Sequence, residues 1–182
     1  MKARQKALIH PVRGKQPVFG EDNWIAPNAT IVGDVRTGEG CSIWYNAVIR
    51  GDVNSIVLGD EVNIQDGAVV HCTYEKTKTV LGNRVSVGHK AIVHGCTVED
   101  DVLIGMGAIV MDNVYIETGS VIAAGAVVLE GTRVPAGSVF AGVPARLVKK
   151  VSSALFAGEV KRISQNYRMY SSWAKEGIEE QE

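Results

Sequence analysis

The sequence predicts an all-β solenoid, a parallel β-helix closed by a C-terminal α-helix. Two observations carry that reading: a six-residue hydrophobic period, and its loss near residue 146 in favour of helical spacing. Aliphatic residues recur at Ile104, Val110, Ile116, Ile122, Val128 and Val134, and Phe140 ends the series. Two positions ahead of most of them stands a small residue (Ala108, Ser120, Ala126, Thr132, Ser138), with Val102 and Val114 slightly larger. Fixed short periods of this kind mark a β-solenoid, in which each unit buries its apolar residue only by stacking on its neighbours. Six residues are out of step with a helical turn of about 3.6, and a plain strand alternates every second residue. A sandwich of short strands would not keep so strict a phase.

The same frame begins earlier, at Ile25, Ile31, Thr37, Ile43 and Ile49, then runs through Leu58, Ile64, Val70, Leu81, Val87 and Val93. Three irregularities interrupt it. The long step from Ile49 to Leu58 places an insertion around Gly51 to Asn54, and that from Val70 to Leu81 places another in the polar stretch Thr73 to Thr79. The step from Val93 to Val98 is one residue short. With three hexads per turn of a three-sided coil, Ile49, Val70 and Val93 occupy one face of successive coils. The residues that follow them, Arg50, His71 and His94, form a column with neighbours about 4.8 Å apart. At that spacing two imidazoles can share a metal ion at Zn–N distances of about 2.0–2.1 Å. His89, two residues past Val87, belongs to the preceding face and points away from the column of its own chain. If chains pack face to face about a three-fold axis, His89 of one chain meets His71 and His94 of the next. His10, outside the repeat, reads as a surface residue.

From Arg146 to about Trp173 the apolar residues Val148, Val151, Leu155, Val160, Ile163, Tyr167 and Tyr170 recur at helical spacing among Lys149, Lys150, Lys161 and Arg162. This is the pattern of an amphipathic helix lying along the solenoid, interrupted near Gly158. The chain thus divides into a β-helix domain, residues 1–146, and a C-terminal helix and tail, residues 147–182. The tail from Lys175 to Glu182 is polar and reads as frayed.

At 182 residues the chain fits one domain, and its 20 glycines suit short strands and tight corners. A formal net charge of −1 makes no electrostatic case for nucleic acid or an anionic membrane. The start, Met1 to Ile9, is charged without an apolar run, so neither a signal peptide nor a membrane span is expected. Of three cysteines, Cys41 and Cys96 fall at the small-residue position as buried spacers, and Cys72 follows His71. An odd count of this kind favours a reduced, cytoplasmic chain.

Several segments match a known family in order and spacing. Ile49-Arg50-Gly51-Asp52, Asn63-Ile64-Gln65-Asp66-Gly67 leading to His71, Gly88-His89, His94-Gly95-Cys96-Thr97 and Ile104-Gly105-Met106-Gly107 resemble the γ-carbonic anhydrase family and its bacterial homologues. The resemblance covers residues 15 to 147, roughly, and is more specific than the repeat itself. It implies a left-handed parallel β-helix, a homotrimer, and a metal at each subunit interface held by His71, His89 and His94. Zinc is the metal it suggests first, although imidazoles also suit iron, cobalt and nickel. It further implies that water at the metal's open position, with its pKa lowered to about 7, attacks carbon dioxide to give bicarbonate. Gln65 would orient that water or the substrate with help from Asn63, and Tyr167 on the helix would reach the site. Arg50 and Asp52 would link subunits beside it, with Asp66 supporting Arg50.

The sequence also departs from the family's pattern. The archetype carries a longer acidic loop after the first histidine, whose glutamate exports protons. Here that loop is Thr73-Tyr74-Glu75-Lys76-Thr77-Lys78-Thr79, with Glu75 its one acid, and Val53 stands where the archetype has another glutamate. Hydration delivers a proton to bulk solvent on every turnover, so slow or condition-dependent activity is expected. Two other readings stay open. Ala141-Gly142-Val143-Pro144-Ala145-Arg146 resembles the exit of hexapeptide acyltransferases, which bind coenzyme A between subunits of the same fold. A metal-binding or assembly protein without turnover is the other.

Overall fold

The computed structural model describes residues 6–179. Its strands stack in parallel register as the three-sided coils of a left-handed β-helix. One face, carrying the two column histidines, stacks Val69–His71, Ile92–His94, Ile109–Val110 and Val127–Val128. The second stacks Thr79–Leu81, Thr97–Val98, Tyr115–Ile116 and Arg133–Val134. The third runs from Trp24–Ile25 through Ser42–Ile43, Asn63–Ile64, Ser86–Val87, Leu103–Ile104 and Val121–Ile122 to Ser138–Gly142.

The six-residue phase maps directly onto the interior. Ile31, Ile43, Ile49, Ile64, Val70, Val87, Val93, Ile104, Val110, Ile116, Ile122, Val128 and Val134 are all buried, and the small residues Ala108, Ser120 and Ala126 are buried beside them. Burying one large aliphatic side chain stabilises the fold by about 1.5–3 kcal/mol, so each coil depends on contact with its neighbours. Leu8–His10 adds a short parallel strand against Thr30–Val32, with His10 exposed. The first residues of the charged start, 1–5, lie outside the described residues.

The first irregularity is not a loop. Thr30–Thr37 and Val48–Leu58 are continuous strands that bend around the corner, and Val48–Leu58 pairs with both the first and the second face. Gly33 allows the bend: its φ is +78, and a Cβ there would run into the backbone of Gly51. The extra residues are absorbed by a register shift between Gly33 and Val35.

The C-terminal helix starts later than its apolar spacing predicts. Ala145–Lys150 is an antiparallel strand on Ser138–Gly142, not the first turn of a helix. Ser138–Gly142 is the last parallel strand of its face, and its outer N–H and C=O groups need partners that a helix cannot supply. Gly142 and Pro144 also favour a turn over helix initiation at this point. The helix begins at Ser153, where the Ser152 hydroxyl accepts from the Leu155 amide at 3.2 Å. The expected interruption appears as a π-helical segment, Phe156–Lys161, around Gly158, before the α-helix Arg162–Glu179.

The helix runs back along the third face. Val160 packs with Val121 and Val139, Tyr167 meets Trp44 edge-on with 5.1 Å between ring centroids, and Lys175 reaches Asp22 at 2.5 Å. Lys175 is therefore anchored, and the helix continues through Glu179 where a frayed tail was expected; residues 180–182 of that tail lie outside the described residues. Among the described residues no helix is long and apolar enough to cross a membrane.

Cys41, Cys72 and Cys96 are free and buried. Burial pushes the Cys41 thiol up to about 11 and the Cys96 thiol up to about 12, and raises Cys72 as well. Thiolate is the reactive form, so at pH 8 all three should resist a thiol reagent such as DTNB in the native protein. All three should react together once denaturant unfolds the coils, which a thiol titration against denaturant will check.

Candidate metal centre

Stacking brings His94 directly against His71 as register partners on the first face. His71 Nδ1 and His94 Nε2 face each other at 3.1 Å. Each ring's other nitrogen meets a carboxylate: His71 Nε2 is 3.0 Å from Asp52 Oδ1, and His94 Nδ1 is 2.6 Å from Asp112 Oδ1. Arg50, largely exposed, donates to Asp52 Oδ2 at 2.6 Å. Burial opposes ionisation of Asp52, but hydrogen bonds from Arg50 and His71 prevail and hold its carboxyl below the usual range. Burial is also the largest influence on His71 and lowers its pKa despite Asp52, so the ring is neutral at pH 7.

These groups suit a divalent cation. When each imidazole gives its N–H to a carboxylate, the two facing nitrogens both present lone pairs, an arrangement that requires a proton or a metal ion between them. Two nitrogens bound tetrahedrally at about 2.0–2.1 Å stand roughly 3.3 Å apart, close to the separation seen here.

His89 lies in the corner turn after Ser86–Val87, away from this pair. Its Nδ1 is 2.9 Å from Asp66 Oδ2, and its Nε2 is 3.2 Å from the Tyr167 hydroxyl. Within the chain Asp66 meets His89 from the corner one coil before it, where its carbonyl also receives the Lys90 amide at 2.9 Å. Burial first, then the Asp66 and Tyr170 groups, push the Tyr167 hydroxyl up to about 12, so it keeps its proton. When His89 gives its Nδ1–H to Asp66, its Nε2 accepts from that hydroxyl. Among the described residues of one chain, no three His, Cys, Asp or Glu side chains converge as a metal shell.

Gln65 and Asn63 are buried at the edge of the His89 corner. Gln65 donates to Asn63 Oδ1 at 3.0 Å, and Asn63 donates to Ser86 Oγ at 2.8 Å, a chain that fixes the Gln65 amide. Gln65, His89 and Tyr167 line one end of a cleft of about 380 Å³ between the third face and the helix. Its floor is apolar, formed by Leu103, Ile104, Val121 and Ile122. Glu75 stands exposed at the tip of the turn after Thr73, and Val53 packs on the core.

Asp112 was not among the residues singled out from sequence. The spacing hid it: Asp112 follows His94 by 18 residues, but the coil between them contains the short Val93-to-Val98 step and sets Val93 against Val110, so Asp112 lies one position past the stacking register of His94. The threonines of the 73–79 loop, a polar insertion by composition, also engage this corner. Thr73 and Thr77 hydrogen-bond Asp112, and Thr79 bonds the His71 carbonyl.

The stacked coils and the carboxylate-held histidines define a hexapeptide-repeat β-helix protein with a candidate metal centre on its flank. The pattern described as bacterial transferase hexapeptide (six repeats) matches residues 17–51 and 95–130. The chain is 44% identical over 160 residues to a carbonic anhydrase of Geobacillus kaustophilus, covering 88% of this chain and 87% of that one. It is 41% identical over 178 residues to the mitochondrial γ carbonic anhydrase 2 of Arabidopsis thaliana, covering 95% of this chain. It spans 62% of the length of that Arabidopsis relative. The crystal structure of a hexapeptide transferase family protein from Anaplasma phagocytophilum superposes with a TM-score of 0.86 at 38% identity, covering 91% of this chain and 96% of that one. The chain belongs to the γ-carbonic-anhydrase-like family.

Replacing Tyr167 with Phe removes one hydroxyl from His89 while leaving the ring contact with Trp44. The variant should fold and lose about 0.5–1.5 kcal/mol of stability, read from denaturant unfolding. A larger loss would mean that the hydroxyl also holds the helix.

Proposed function

We propose that the protein is a metal-dependent carbonic anhydrase of the cytoplasm, a homotrimer that hydrates carbon dioxide to bicarbonate at sites shared between subunits. The observation that carries this reading is the facing pair His71 Nδ1 and His94 Nε2, each ring held from behind by its own carboxylate. His89 of a neighbouring copy completes the ligand set. Its Asp66 partner leaves Nε2 as the available nitrogen, so Tyr167 must release that nitrogen for it to serve. Zinc is the first candidate among ions suited to imidazole, ahead of iron, cobalt and nickel, and it can bring the pKa of a water to about 7.

The chain's own residues do the rest. Asp52 and Asp112 each take one ring N–H and fix the imidazole's orientation, leaving the other ring nitrogen for a ligand role. Gln65, fixed through Asn63 and Ser86, orients water or carbon dioxide at the end of the apolar cleft. Arg50 and Asp52, paired at 2.6 Å within the chain, would tie one subunit to the next. Proton export is the weak step. The loop beside the histidines offers Glu75 alone, at an exposed tip, and Tyr167 holds its proton up to about pH 12.

A transferase reading has one observation in its favour. The cleft beside His89, about 380 Å³, is larger than carbon dioxide requires and falls in the range typical of small-molecule sites. Turnover of acetyl-CoA by protein with its metal content measured decides between the two readings.

Elemental analysis of the His89→Ala and His71→Ala proteins should show equal loss of metal, although the two side chains act from different subunits. Full occupancy in the His89→Ala protein would rule out the shared site. For turnover, stopped-flow hydration by metal-replete protein should be slow and should rise with added imidazole buffer, which carries the proton away. A fast, buffer-independent rate would reveal an internal shuttle, and no rate at high buffer would favour a binding or assembly role.

A further inference from the structure

We propose that Asp112 is the positioning residue for His94, and that it makes the Thr73–Thr79 loop a clamp on the histidine pair. The proposal rests on the metal reading of that pair only for its metal-binding consequence; the clamp itself stands on hydrogen bonds within one chain.

Asp112 occupies the corner after Ile109–Val110, one coil beyond His94. Both of its carboxylate oxygens are engaged. Oδ1 is 2.6 Å from His94 Nδ1, and Oδ2 accepts from the Thr73 hydroxyl at 2.5 Å. The Thr77 hydroxyl lies 3.4 Å from Oδ1 and accepts the Thr73 amide at 3.0 Å, which ties the two ends of the turn together. A carboxylate gripped on both sides cannot rotate freely, so the imidazole opposite it is fixed in plane and in tautomer. As a carboxylate it takes the Nδ1–H of His94 and leaves Nε2 facing His71.

Two further contacts belong to the same device. The fully buried Thr79 hydroxyl donates to the His71 carbonyl at 2.5 Å and accepts the Gly95 amide at 2.9 Å, joining the two histidine strands. Gly95 takes a φ of +55, and a Cβ there would collide with the Asp112 carboxylate and the Thr77 hydroxyl. The residue after His94 therefore has to be glycine for Asp112 to approach. The short loop that lacks an acidic shuttle carries its threonines where they fasten the histidines instead.

The test uses the full chain as wild type, Asp112→Ala, Asp112→Asn and Thr73→Val. In metal-free protein, imidazole nitrogen NMR should find His94 in the Nδ1–H form in wild type. That preference should be lost in Asp112→Ala and largely restored in Asp112→Asn, whose amide oxygen still accepts the bond. Competition against a chelator should show cobalt(II) affinity falling about 10–100-fold in Asp112→Ala and less in Thr73→Val. An unchanged His94 tautomer in folded Asp112→Ala, or wild-type cobalt affinity in that variant, would overturn the proposal. If wild type takes up no cobalt, the metal reading falls, and the tautomer measurement alone decides the role of Asp112. If Asp112→Ala does not fold, Thr73→Val carries the test, and a wild-type tautomer and cobalt affinity there would overturn the clamp.

Discussion

Parallel register between successive coils is the constraint on which the candidate centre depends. Register alone sets His94 against His71, since neither side chain need search for the other once Val93 lies over Val70. The buried aliphatic residues enforce that register because a slip of one position would turn the whole strand inside out. Core packing and site geometry are therefore one problem in this fold. A change that loosens the stack beneath Val70 or Val93 acts on the histidines without touching them.

Three histidines meet three aspartates: Asp52 on His71 Nε2, Asp112 on His94 Nδ1 and Asp66 on His89 Nδ1. A carboxylate behind an imidazole keeps the proton on one nitrogen and leaves the other as a donor to a cation. The repetition of this pairing on two separate corners is what links His89 to the other two, although it does not touch them within one chain. In the proposed site, coordination by three imidazoles would depend on a second copy, which would make assembly and metal binding a single event.

Two segments took structures different from those their composition favoured, for one shared reason. Ala145–Lys150 has apolar spacing compatible with a helix, but it lies beside the open edge of Ser138–Gly142 and pairs with it. Thr73–Thr79 has the composition of a solvated loop, but it lies beside the polar ends of the histidine strands and bonds to them. In both places unpaired polar groups on a neighbouring element determined the outcome.

The period of six determined the three-sided coil, the buried positions, the column of Arg50, His71 and His94, and the separation of His89 from it. Spacing suffices there because a solenoid is regular along its axis, so distance in sequence converts directly to distance in space. The motif around Gln65, His71, His89 and His94 likewise indicated the family. Tertiary structure alone decided how Asp66 faces His89, how Tyr167 reaches it from the helix, and how Asp112 closes on His94 with two threonines behind it. Those contacts cross corners or join the helix to the coils, where no period fixes the geometry. Side-chain direction and the hydrogen-bonding needs of adjoining strands settle them only once the chain has folded.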